Sequence, residues 1–166
     1  MKNNFIKAST KRLIAKAEAT GFDKLRYFNM PDETHMNPWC KDEKTGLTHI
    51  VLQSLKINTV DTDAYEEHQM GLTYWSDDLS HTTKRKGKFG YVTGTTTING
   101  KTKNVRQMKV ITNTVGLGRK VQVDHLNGNT YDDRRINLST GTQQANLKNQ
   151  YPYKEVPAIV YPWDHE

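Results

Sequence analysis

Residues 121–150, VQVDHLNGNTYDDRRINLSTGTQQANLKNQ, hold the side chains whose types and spacing best suit chemistry. Asp124 and His125 are adjacent, Asn137 lies twelve residues beyond His125, and Asn146 lies twenty-one beyond it. Asp124 and Asn146 offer a carboxylate and a carbonyl oxygen, hard donors that suit Mg²⁺ or Mn²⁺ better than zinc. An imidazole is neutral and still basic near pH 7, as a general base must be. A lone Asp-His pair is usually a hydrogen-bonded strand end. The company of Asn137 and Asn146 gives this pair a chemical reading.

Those side chains need elements to hold them. Val121 and Val123 alternate with polar neighbours and predict a strand ended by Asp124 and His125. Asn127-Gly128 and Asn129 mark a turn, with loop through Arg135. Ile136, Leu138 and Thr140 alternate again and predict a second short strand. Thr142 is placed to cap a helix that carries Asn146 and stops before Pro152. Strand, loop, strand and helix in that order bring Asp124 and His125 opposite Asn146. Neighbouring strand residues point to opposite faces, so the strand must end or twist at this pair if both are to serve one site.

The pieces VDHLNGN (123–129), DDRRINL (132–138) and TQQANLKN (142–149) resemble the ββα-metal motif of the HNH endonucleases, most closely the phage HNH homing endonucleases. The resemblance extends upstream, where INGKTKN (98–104) matches a basic hairpin and VRQM (105–108) a short V-H-R-L segment. It covers about residues 85–150. The family's His-Arg pair is Arg106-Gln107 here, which leaves any role of that His without a counterpart. The resemblance implies a DNA endonuclease that hydrolyses phosphodiesters with one Mg²⁺ or Mn²⁺ ion, leaving a 5′ phosphate and a 3′ hydroxyl. It implies Asp124 and Asn146 as metal ligands and His125 as general base. Asn137 is implied to hydrogen-bond across the loop and hold that histidine. Arg134, Arg135 and Lys148 are expected phosphate contacts, with solvated charge as the alternative. Asp132 and Asp133 read as loop-capping carboxylates rather than ligands. A strand-specific nickase, and a DNA-binding or accessory protein with an inactive HNH unit, remain the alternatives.

Charge points to the same partner. The 166-residue chain has net charge +6, unevenly spread. Residues 1–83 carry ten Lys/Arg against twelve Asp/Glu, residues 84–154 fourteen against three, and residues 155–166 none against three. So basic a segment repels itself unless an anionic partner relieves it, and double-stranded DNA is the expected one. Lys84, Arg85, Lys86 and Lys88 open this half and are expected DNA contacts. No apolar run approaches bilayer length, and no signal-peptide pattern follows the basic N-terminus, so a soluble, cytoplasmic protein is expected, in a host cytoplasm if phage-encoded. The single cysteine, Cys40, argues against an internal disulfide and against multi-cysteine zinc sites.

The remaining elements read less clearly. Residues 8–20 predict an amphipathic helix capped by Ser9 or Thr10 and ended by Gly21, with Leu13, Ile14 and Ala17 inward. Its Lys11, Arg12 and Lys16 read as a solvated face in preference to a phosphate-contacting one. Residues 29–46 read as loop, and His35, Cys40 and His49 match no ligand spacing. Residues 47–57 are buried strand or helix, undecided by periodicity. Residues 59–83 are acidic, with Tyr65, Leu72, Tyr74 and Trp75 to anchor them. Phe89, Tyr91 and Thr93 signal a strand, Asn99-Gly100 a hairpin turn, and 105–113 strand or helix, with helix implied by the resemblance. The expected fold is α+β: a mixed N-terminal segment over 1–84, an HNH unit over 85–150 built from a basic hairpin and the ββα-metal motif, and a tail over 151–166.

Overall fold

The structure is a computed structural model, described over residues 7–77, 90–142 and 155–165. Lys84, Arg85, Lys86, Lys88, Asn146 and Lys148, and the helix expected beyond Thr142, lie outside those residues. The fold is α+β, with small antiparallel sheets and short helices.

The first helix, α1, spans Ala8–Ala19. Thr10, Leu13 and Ala17 are buried at i, i+3 and i+7, the spacing of one helical face. Neither Ser9 nor Thr10 caps it: Lys7 holds the cap position, and no side chain bonds there. Thr10 has turned inward instead and donates to the Met36 carbonyl at 2.7 Å. Gly21, at φ +66°, ends the helix as expected. The Gly21 N–H bonds the Glu18 carbonyl and the Phe22 N–H the Ala17 carbonyl, the paired closure that a left-handed residue permits.

A three-stranded sheet follows, from β1 (Trp39–Asp42), β2 (Leu47–Val51) and β3 (Ile57–Asp61), in the order β1-β2-β3. β1 corrects the expectation of loop across 29–46. Its four residues include Lys41 and Asp42, too short and polar to show a period, and pairing with β2 is what makes it a strand. All five residues of β2 are buried. Ile50 belongs to one apolar cluster and its neighbour Val51 to another, so β2 separates two cores, as only a strand's alternation allows. α2 (Thr62–Glu67) follows β3 directly. Tyr65 and Trp75 anchor the acidic stretch, but Leu72 is exposed.

The second sheet joins β4 (Ser76–Asp77), β5 (Val92–Ile98) and β6 (Lys101–Arg106). Asn99 and Gly100, at φ +53° and +77°, form the two-residue turn between β5 and β6, whose left-handed geometry follows the strand twist. α3 (Gln107–Ile111) resolves the ambiguity over 105–113, with Val105 still in β6. The last pair is β7 (Gln122–His125) and β8 (Leu138–Gly141), in register Asp124↔Ser139 and His125↔Leu138. Strand character begins at Leu138 because Arg135–Asn137 is a 3₁₀ turn, which leaves Ile136 exposed.

One core joins the segments on either side of residue 84. Ile50, Leu52, Val60, Ala64, Tyr65, Met70 and Trp75 pack with Val92 and Ile111, and Tyr131 and Leu138 lie against them. Each fully buried side chain of this size contributes about 1.5–3 kcal/mol, so neither segment keeps its share alone. The tail is docked as well. Trp163 packs against Tyr27 and Phe28, at ring distances of 5.4 and 6.1 Å, and stacks on Tyr161 at 4.8 Å. Among the described residues no helix is long and apolar enough to cross a membrane.

Candidate active site

The loop between β7 and β8 is organised by its own amides. Asn137 is fully buried. Its Oδ1 accepts the Asn127 N–H at 2.9 Å, and its Nδ2 donates to the Asp132 carbonyl at 2.8 Å. The Leu126 N–H donates to the Asn137 carbonyl at 2.8 Å, extending the ladder one residue into the loop. Asn127 and Asn129 each accept the N–H two residues on, at 2.9 and 3.0 Å, the local bond that makes asparagine a turn former. Gly128 takes φ +78°, and its N–H closes on the His125 carbonyl at 2.9 Å. Asn137 therefore acts on His125 through the backbone of the loop that begins there.

The loop also rests on the first sheet. Thr59 of β3 donates its N–H to the Tyr131 carbonyl at 3.0 Å and accepts the Asp133 N–H at 2.9 Å. The Asn58 amide donates to the same Tyr131 carbonyl at 3.0 Å. Thr59 and Asp132 thus form a parallel bridge between the N-terminal sheet and the loop.

His125 is buried, and its Nε2 lies 2.6 Å from Asp133 Oδ1. Asp133 is also buried, at 1% exposure. Burial pushes the Asp133 carboxyl above its ordinary range and the nearby Asp132 charge adds to this, while the histidine bond opposes the rise. With Asp133 ionised, the bond holds the imidazole proton on Nε2 and leaves the lone pair on Nδ1. The Tyr91 ring lies 6.0 Å from the His125 ring, and the Arg106 guanidinium sits 4.2 Å over Tyr91. Beside His125, Asp124 is half-buried, and among the described residues no bond to its carboxylate is present.

The two arginines of the loop are committed elsewhere. Arg134 is buried, and its Nε and Nη2 each meet an oxygen of Asp132 at 2.8 Å. Its Nη2 also donates to the Pro157 carbonyl at 2.7 Å, which ties the docked tail to the loop. The Asp132 bond raises its pKa against the opposing cost of burial. The expected phosphate contact does not fit so enclosed a side chain; a bidentate pair with satisfied partners is a brace. Arg135 is more open. Its guanidinium spans Asp63 at 2.7 Å and Glu67 at 2.9 Å, and its N–H donates to Asp61 at 2.8 Å. The acidic stretch thus neutralises charge of the basic half within the molecule.

The structure brings Asp124, His125 and Asn137 to one hairpin end. Of the expected ligand pair only Asp124 is described, and among the described residues no group of three or more His, Cys, Asp or Glu is arranged around a metal. Asp133, Tyr91 and Arg106, to which the sequence assigned no part in the site, join it. Asp133 looked like a loop cap because its partner lies across the loop. Tyr91 and Arg106 signalled only strand and basic hairpin, and their approach to His125 depends on the two hairpins packing together. No protein-family model matches the chain, and no curated protein or solved structure matches it either.

Proposed function

We propose that this chain is a divalent-metal-dependent DNA endonuclease whose active site is a ββα-metal unit built on the β7–β8 hairpin. The observation that carries the reading is the His125–Asp133 pair, set at the end of a hairpin closed by Asn137 and next to Asp124, whose carboxylate has no bond among the described residues. A buried carboxylate on Nε2 directs the base through Nδ1 and stabilises the imidazolium that forms as it takes a proton. His125 removes the proton from the attacking water. The new P–O bond forms as the bond from phosphorus to the 3′ oxygen breaks, the 3′ oxygen takes a proton from solvent water, and the products are a 5′ phosphate and a 3′ hydroxyl.

Asp124 fits a hard cation because it is a carboxylate with its oxygens uncommitted among the described residues, and Asn146 is the proposed second ligand. Bound there, Mg²⁺ or Mn²⁺ would stabilise charge at the phosphate and on the leaving oxygen. Arg106, exposed, supplies a cation over the Tyr91 ring, which itself lies 6.0 Å from the His125 ring. Lys103 and Lys109 line a cleft of about 460 Å³ with it, and such a wall suits a phosphate backbone.

Supercoiled plasmid, purified protein and Mg²⁺ provide the test. Nicked or linear product is expected with metal, none in excess EDTA, and recovery on adding Mg²⁺ or Mn²⁺. Asp124→Ala is expected to lose the metal-dependent cutting while still binding duplex. Undiminished cleavage in chelator would sink the one-metal mechanism.

A further inference from the structure

A cleft lies away from the loop, between α1 and the β5–β6 hairpin, with a volume of about 1030 Å³. One wall is the polar face of α1, with Lys7, Arg12 and Lys16. The other is Thr93 and Thr95 of β5 with Asn104 of β6; Gln53, Ser54 and Tyr74 also line it, as does Asp77, a buried carboxylate that accepts from the Tyr131 hydroxyl at 3.1 Å. Among the described residues, Lys16 is the one of the three cations with a hydrogen bond, to the Gln53 carbonyl at 2.9 Å. Arg12 is exposed and has no carboxylate partner among the described residues. That is unlike Arg134 and Arg135, each paired with acids of this chain.

The cleft shares a surface with the candidate site. Tyr91, Thr93 and Thr95 alternate along the chain and so fall on one side of it. Across the ladder, Thr93 faces Arg106 and Thr95 faces Asn104, so these pairs share that side. Tyr91 approaches His125 and carries Arg106 over its ring, while Thr93, Thr95 and Asn104 form the cleft wall. One polar strip therefore runs from the imidazole to the cations of α1. At about 3.3 Å per strand residue its length is on the order of 15 Å, which spans two or three phosphates of a backbone.

We infer that the cleft between α1 and the β5–β6 hairpin receives the phosphate backbone of duplex DNA, with Lys7 and Arg12 as the cations that meet it. The exposed face of α1 is then a binding surface contributed by the acidic half of the chain, not merely a solvated one. This rests on the nuclease reading for its partner, but binding tests it independently of cleavage.

The experiment is anisotropy titration of a labelled 30-base-pair duplex by the full chain in EDTA, across a salt series. Arg12→Glu and Lys7→Glu/Arg12→Glu are compared with wild type. Lys44→Glu is the control for equal charge change; it lies in the turn at the opposite end of β2 from Gln53 and Ser54. The double variant is expected to bind at least about tenfold more weakly, with the slope of log K against log salt flattened by about two. Arg12→Glu is expected to show about half the slope change and Lys44→Glu almost none. Thermal melts verify folding, and both substituted side chains are exposed, with no hydrogen bond or ion pair among the described residues. A folded double variant with wild-type affinity and slope would overturn the inference and leave the nuclease reading intact. Equal losses in Arg12→Glu and Lys44→Glu would also overturn it, as a net-charge effect. A wild-type protein that binds but fails to cut with Mg²⁺ would overturn the nuclease reading alone. Absence of any salt-dependent duplex affinity would overturn both.

Discussion

Among the described residues two imidazoles are buried, one in each half, in opposite surroundings. His49, central in β2, is fully buried, with Nδ1 2.8 Å from the Thr59 hydroxyl and Nε2 without a partner. Tyr161 of the docked tail lies 5.0 Å from its ring. His125, at the end of β7, meets the buried carboxylate of Asp133. A hydroxyl satisfies one nitrogen but stabilises no positive charge; burial therefore pulls His49 down to about 4. A carboxylate offers the charge that a protonated ring needs. Burial alone therefore does not mark a catalytic histidine. Its partner decides whether it is a neutral packing group or a base able to accept a proton.

That contrast is broken most severely by removing the base. His125→Ala is expected to cut plasmid at least about a hundredfold more slowly, the low end for a lost general base. Duplex affinity in EDTA should be nearly unchanged, because phosphate contacts and not the imidazole supply it. Single-turnover rates with saturating protein would measure the loss. A variant that cuts near the wild-type rate would place His125 with His49 as a packing group.

A smaller effect is expected from Asp133→Asn, which keeps the shape and removes the charge. The amide can still accept from Nε2–H, so the ring can hold its orientation. What is lost is the charge that stabilises the imidazolium, for a fall in kcat of roughly tenfold with KM little changed. Stability should hold or rise, because burial already disfavours the ionised carboxyl. A purely structural Asp133 would show the reverse: lower melting temperature and normal kcat per folded molecule.

How far such partners could be read from sequence depends on distance along the chain. Asn99-Gly100, Gly21 and the alternation at Val121 and Val123 announced a turn, a helix end and a strand, because each is a local conformational demand. Asp124, His125 and Asn137 were legible by type and spacing within one loop. β1 was not, since its four residues become a strand only against β2. Nor was the docking of that loop on Thr59, more than seventy residues away in the chain. The pairing of Arg135 with Asp63 and Glu67 depends on the same docking, so charge counted along the sequence overstated how much of the basic half is left unneutralised. Asp133 lay in plain sight as one of two adjacent acids. Only the closed loop turns Asp132 to Arg134 and Asp133 to His125.

The mildest test sharpens the other half of the comparison, through stability and pH. His49 has an unfolded value near 6.5 and a folded value of about 4. Between those values the unfolded chain binds the extra proton, so stability rises with pH across this window. The contribution is present above about pH 6.5 and is lost as pH falls towards 4. From pH 7 to pH 6 the His49 share of that loss is on the order of 0.7 kcal/mol. Urea unfolding at the two pH values would measure it, with His49→Gln as the reference. Glutamine is polar, does not titrate and can still reach the Thr59 hydroxyl, so its stability should change less over that step. The variant will be less stable in absolute terms, because it loses the ring's packing against Tyr161; the pH difference between the two proteins carries the result. Equal pH dependence would mean that His49 is not the neutral, desolvated group its surroundings require.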